Sequence, residues 1–174
     1  MKIIVFSSLL LLVCSVSADQ TETEMLRELT ASLAVQKEQI SVAFSASLLD
    51  RGEGDTGPFN TQTTLTFKRV VTNIGNAYNS HTGMFTAPVR GAYHFEWHIY
   101  GYGDVRAGAY LFRNGYYIFS AYENPTAGGG SGSNGALLHL EVGDQVYVRL
   151  WNGTRVFDGQ NHINTFSGHL IFTM

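Results

Sequence analysis

Residues 91–100 alternate without a break. Tyr93, Phe95, Trp97 and Ile99 fall on one side, and His94, Glu96 and His98 on the other. Side chains of a strand point to opposite faces in turn, so a period of two marks a half-buried strand. A helix would bring its apolar residues back every three or four positions. Such a strand needs a second apolar layer to cover it.

The remaining chain offers more strands. Residues 42–48 alternate apolar and small polar side chains, and residues 64–71 are rich in β-formers. A short strand at 84–87 stops at Pro88. Residues 109–112 and 116–122 flank Asn114-Gly115, a strong signal for a tight hairpin. Residues 137–140 and 145–151 flank a turn at Gly143-Asp144, and 166–174 close the chain. Residues 49–62 hold three glycines and Pro58 and read as a loop. The glycine-rich stretch 128–135 reads as a flexible loop. Nine or ten short strands, 19 Gly against 3 Pro, and abundant aromatics predict an all-β sandwich or jelly roll.

The amino end differs. Lys2 followed by the apolar run 3–13 and the small residues Val16-Ser17-Ala18 has the form of a secretory signal peptide ending at residue 18. That run is too short to span a bilayer, so no membrane insertion is expected and the protein should be secreted. Its removal takes Lys2 and Cys14, leaving a cysteine-free chain one unit more acidic than the formal −3. Without disulfides, the core or self-association must hold the fold. An acidic balance argues against nucleic acid as a partner. Only 14% of residues are charged, low for a lone soluble domain, which suggests that identical subunits cover part of the surface.

Residues 19–37 predict a short helical stalk. Thr21 with Glu24 forms a capping-box pair. Leu26, Leu29, Leu33, Gln36 and Ile40 then follow spacings of three and four, an a/d seam for oligomerisation. A seam this short adds to contacts made elsewhere and does not replace them.

Seven positions of the central stretch fall on one pattern: Phe67, Asn73, Tyr78, Phe85, Gly91, Tyr93 and Phe95. Their spacing resembles the motif of the globular head of complement C1q. Trp97 stands where that motif ends in Phe or Tyr, so an aromatic is kept. Residues 42–46, 138–148 and 166–170 resemble the family's opening strand, late hairpin and final strand, so the resemblance covers 38–174. It implies a ten-stranded jelly roll of the kind shared with tumour-necrosis-factor ligands, here preceded by a short coiled-coil helix. It implies a homotrimer that binds an extracellular protein or carbohydrate. No Gly-x-y collagen run is present. The plan of signal, helix and head is similar to cerebellin-like secreted proteins.

No catalytic motif competes with this reading. The glycine-rich stretch lacks the Gly-Lys-Ser/Thr ending of a phosphate loop, and no Gly-x-Ser-x-Gly occurs. His94 and His98 are about 13 Å apart along a strand, too far to share one ion. His81, His139, His162 and His169 show no ligand spacing. No metal ligand and no cofactor are assigned. Some family heads hold calcium, and Tyr122, Glu123 and Asn124 lie in the comparable region without making a ligand set. Asn152-Gly153-Thr154 is the one N-glycosylation triplet, and Asn152-Gly153 also reads as a hairpin turn.

The expected protein is a secreted, non-enzymatic trimeric recognition module. Its first reading is pattern recognition in innate immunity, with Tyr100, Tyr102, Tyr116 and Tyr117 as candidate sugar-stacking faces. The alternatives are a cerebellin-like or hormone-like ligand for a cell-surface receptor and a self-associating extracellular structural protein.

Overall fold

The computed structural model describes residues 20–31, 40–124 and 126–174. Two separate units comprise Met1–Gln39 and Ile40–Met174. In the first, residues 20–31 are helical and exposed throughout. Thr21 is already inside this helix, so it is not the cap that its pairing with Glu24 suggests. Leu26 and Leu29 lie within it, and the Thr30 hydroxyl turns back to the Leu26 carbonyl. Leu33, Gln36 and the signal-peptide residues lie outside the described residues. Ile40 is not helical but leads into the first strand, so the helical seam does not reach it.

The second unit is a jelly-roll sandwich. Its strands are β1 (Ala43–Ser47), β2 (Gly54–Thr56), β3 (Thr63–Thr64), β4 (Arg69–Ile74), β5 (Tyr78–Asn79), β6 (Met84–Thr86) and β7 (Gly91–Gly103). They continue as β8 (Ala107–Arg113), β9 (Tyr116–Glu123), β10 (Thr126–Leu140), β11 (Gln145–Leu150), β12 (Val156–Asp158) and β13 (Thr165–Thr173). One sheet runs β10-β7-β13-β1-β4, and the other runs β5-β6-β11-β8-β9. These two five-strand paths are the ten strands of the jelly roll. β3 adds to β11, and β12 pairs with β2 apart from both.

The core lies between the sheets and is largely aromatic. Phe85, from the second sheet, packs 5.2 Å from Phe95 and 5.4 Å from Phe44, both from the first. Phe166 meets Phe44 edge-on at 4.9 Å. Tyr93, Phe95, Trp97 and Ile99 are all fully buried, as the alternation requires. Trp97 keeps the packing role of the smaller aromatic it replaces, though its indole N–H has no partner among the described residues.

Three stretches differ from the sequence reading. Residues 64–71 are not one strand, because the ladder breaks at Phe67. Its N–H donates to the Tyr78 hydroxyl at 3.2 Å, and that hydroxyl donates to its carbonyl at 3.0 Å. The loop at 49–62 contains β2, and the glycine-rich stretch is no loop but the middle of β10, paired to β7 through Ser133 and His98. Glycine serves close approach there. A Cβ on Gly132 would sit 2.9 Å from the Tyr122 backbone nitrogen of β9. The hairpin at Asn114-Gly115 forms as expected, with φ of 50° and 86°.

Asp144 ties that hairpin to the β10–β11 turn. It accepts from Arg113 Nη2 at 2.7 Å, Asn114 Nδ2 at 2.7 Å and the Glu141 N–H at 2.9 Å. Burial pushes its carboxyl up. The hydrogen bonds from Asn114, Glu141 and Arg113 and the Arg113 charge outweigh that and hold it below the usual carboxylate range. Its folded value is therefore the lower one. The stabilisation is present above about pH 4, the ordinary carboxylate range, and fades as pH falls toward the folded value. Asp144→Ala should cost about 2 kcal/mol at pH 7. Thermal melts should show this gap narrowing at pH 3; a gap independent of pH would contradict the assignment.

Candidate functional site

The seven motif residues converge on packing and not on chemistry. Asn73 reaches over the β4–β5 turn, where its amide donates to the Tyr78 carbonyl at 2.8 Å and its oxygen accepts the Tyr78 N–H at 3.2 Å. That clamp orients the Tyr78 ring, which stacks on Phe44 at 4.6 Å with planes 3° apart. Burial drives the Tyr78 hydroxyl's pKa far above its ordinary value, only partly opposed by its bond to Phe67, so it stays a neutral brace. Burial also raises Tyr93, whose hydroxyl donates to the Val89 carbonyl at 2.7 Å. A Cβ on Gly91 would meet the Phe172 carbonyl oxygen at 2.5 Å, so only glycine lets β7 and β13 close there. Phe67, Phe85 and Phe95 are fully buried.

What the sandwich offers to partners lies on its outside. On the first sheet, Leu137, His94, His169, Ala43 and Ile74 stand in one row across five strands, joined by direct pairing at each step. The next row on that face is Gly135, Glu96, Ser167, Ser45 and Thr72. The face is thus apolar at Leu137 and Ile74, and its middle sets His94, His169 and Glu96 beside the small Ala43, Ser45 and Ser167. Leu137 is 65% exposed, and Ile74 and Phe172 are more than half exposed. The edge strand β9 adds exposed Tyr116, Phe119 and Tyr122. Exposed apolar side chains thus occur on the outer face of the first sheet and, separately, along the β9 edge of the second.

His94, Glu96 and His98 do form the outer side of β7. His94 and His169 are direct cross-strand partners with rings 5.5 Å apart, and Glu96 lies 3.9 Å from His94. The His94–His169 juxtaposition cannot be read along the chain, because 74 residues separate the two and only the β7–β13 pairing joins them. Among the described residues, no three His, Cys, Asp or Glu side chains gather as metal ligands. Glu123 pairs with Ala107 at the end of β9, with Asn124 exposed beyond it.

The four tyrosines singled out for stacking are not brought together by ring contacts among the described residues. Tyr102 packs edge-on against Phe157 at 5.0 Å, under the Arg155 guanidinium. The Tyr100 backbone is held by Asn164 at 2.8 Å. Tyr116 is 77% exposed at the hairpin corner, and Tyr117 joins a different group of rings on β8 and β11.

Asn152 is exposed at a turn closed by the Thr154 N–H and the Trp151 carbonyl at 3.2 Å. With positive φ at Gly153 but not at Asn152, this is not a two-residue hairpin, and it leads from β11 to β12 in another sheet. The Thr154 hydroxyl is shared between the Gly108 and Trp151 carbonyls. Glycosidase treatment should reduce the mass of protein secreted from animal cells, and Asn152→Gln should abolish that shift. An unchanged wild-type mass would mean the site is unused.

A family model described as the C1q domain matches residues 43–171. Complement C1q tumor necrosis factor-related protein 3 of Mus musculus is 38% identical over 136 residues, which are 77% of this chain and 52% of that protein. The Homo sapiens protein of the same name matches to the same extent. The chain therefore spans about half the length of the curated relatives it matches. Among solved structures, the globular domain of zebrafish complement 1qA protein superposes with a TM-score of 0.61 at 23% identity, covering 76% of this chain and 99% of that one. Eiger TNF from S. frugiperda superposes with a TM-score of 0.63 at 13% identity, covering 78% and 96%. At these identities the two superpositions establish the fold alone.

Proposed function

Because the chain belongs to the C1q-domain family, we propose that it is secreted and acts outside the cell as a non-enzymatic, homotrimeric, ligand-type recognition module. The observation that carries this reading is the uncovered outer face of the first sheet. Ala43, Ser45 and Ser167 leave room for close approach beside His94, His169 and Glu96, and the exposed Ile74, Leu137 and Phe172 supply apolar area. A second copy, and by symmetry a third, is the occupant that matches a low-charge chain. Burial there contributes about 25 cal/mol per Å² of apolar surface.

Leu26 and Leu29 on the exposed helix would add to this assembly without carrying it. Three copies of one weak site would give avidity at a cell surface. No helix among the described residues is long and apolar enough to cross a membrane. A receptor-directed ligand fits the names of the 38%-identical relatives at least as well as pattern recognition in innate immunity does. Light scattering on the secreted protein should give three times the mass of one chain. A monomer at micromolar concentration would overturn the reading.

A further inference from the structure

The first sheet carries two histidine–carboxylate pairs, and they differ in what serves the carboxylate. At the β10 end, His139 Nε2 lies 3.5 Å from Glu141 Oε1. Arg90 Nε is 3.1 Å from that carboxylate and 3.3 Å from that ring nitrogen, so a cation already occupies the pair. His94 and Glu96 form the other pair. They are two residues apart on β7 and so share its outer side. His94 Nε2 lies 3.9 Å from Glu96 Oε1, and no Lys or Arg side chain pairs with Glu96 among the described residues. That gap exceeds hydrogen-bond reach. It is close to the roughly 3.4 Å between two donor atoms on one tetrahedral ion with Zn–N and Zn–O bonds of about 2.0–2.2 Å.

β13 brings a third donor. His169 is the direct cross-strand partner of His94, exposed, with the two ring centres 5.5 Å apart and their planes 68° apart. Two imidazoles on one tetrahedral ion have ring centres about 5 Å apart. Gly135 of β10 stands opposite Glu96 on the other side, and a Cβ there would lie 3.4 Å from His94 Nε2. Glycine thus keeps the space beside that nitrogen open. The side chains of His94 and Glu96 are 33% and 53% exposed, so an ion can reach them from water.

We propose that His94, Glu96 and His169 form a binding site for a divalent transition-metal ion of the zinc type. Two imidazoles and one carboxylate suit zinc, whereas calcium and magnesium take oxygen ligands. The three donors surround the ion's position without converging on it. Rotation of the exposed His169 ring, fast for a surface side chain, closes the set. Three protein ligands leave the fourth tetrahedral position to water. The bound ion links β7 to β13 and offsets the charge of Glu96 in the middle of the sheet's outer face. All three donors belong to one chain, so the site goes beyond the trimer reading and does not rest on it.

Isothermal titration calorimetry of the chelator-washed, full secreted protein with zinc chloride tests this. Wild type should bind one ion per chain and give no matching heat with calcium chloride. His94→Asn, His169→Asn and Glu96→Gln should each weaken zinc binding at least about tenfold, since losing a group that merely orients a ligand already costs about 10–100-fold. His139→Asn, at the pair that Arg90 serves, should leave binding unchanged. Circular dichroism checks that each variant is folded. If His94→Asn is not, His169→Asn and Glu96→Gln, both at exposed positions, carry the test. Zinc that does not bind wild type, binds no better than calcium, binds any folded one of the three variants as tightly as wild type, or is lost with His139→Asn overturns the proposal. Light scattering on the same samples reports assembly separately, so a failed metal site and a failed trimer are told apart.

Discussion

Phe85→Ala is expected to destabilise the head by about 3–5 kcal/mol, the range for truncating a fully buried phenylalanine. Phe85 is fully buried and lies within 5.5 Å of the ring centroids of Phe44, Tyr93 and Phe95. With Tyr78 of β5, it is the second sheet's contribution to a ring cluster otherwise built from the first sheet. Removing it strips contacts from three rings at once and leaves a cavity that stiff neighbouring strands cannot close. A domain of this size is stable by about 5–15 kcal/mol, so one such change takes a large share. Tyr116→Ala, at a position 77% exposed, should change stability by less than about 0.5 kcal/mol. Urea unfolding followed by tryptophan fluorescence measures both. A Phe85→Ala loss below about 1 kcal/mol would show that this cluster is not what joins the sheets.

The same cluster shows how much of the fold could be read from the chain. Tyr93, Phe95, Trp97 and Ile99 were legible because a strand's period of two sorts its faces, and all four are buried. The Asn114-Gly115 hairpin was legible because few residues tolerate two positive φ values in succession. Residues 128–135 were not legible. Glycine signals a loop when taken alone, and only the nearness of β9 reveals that Gly132 is there for close approach. The break at Phe67 was hidden because it depends on a hydroxyl eleven residues away.

The group of rings around Tyr110 was hidden for a different reason. Residues 146–151 are apolar or aromatic at almost every position, because β11 buries core side chains on one face and rings on the other. A continuous apolar run does not say which residues face the core, and Tyr110 and Trp151 come together only through the pairing of β8 with β11. The sequence reading grouped Tyr117 with Tyr100, Tyr102 and Tyr116, whereas its ring neighbours are Tyr110 and Phe112 of β8. The motif residues do packing work: the Asn73 clamp and the Tyr78 brace set the β4–β5 corner.

Ser167→Arg should convert the proposed trimer to monomers while leaving the head folded. Ser167 sits mid-face on β13, between Ser45 of β1 and Glu96 of β7. In an isolated head, an arginine there extends into water or meets Glu96 directly across the strand pair, a neutral or slightly favourable contact. In an assembly that buries this face, the same side chain must be dehydrated at a close-packed centre, and symmetry repeats the cost in every subunit. Each buried ion costs several kcal/mol beyond what one nearby carboxylate returns. An interface of ordinary size, about 800 Å² per partner, has little to set against three such penalties. Ser167→Ala keeps the surface small and uncharged and should remain trimeric. Circular dichroism should be unchanged in both variants, while light scattering should fall to the mass of one chain for Ser167→Arg alone. If Ser167→Arg stays trimeric, the outer face of the first sheet is not the assembly surface, and the exposed β9 edge and the helix become the remaining places for it.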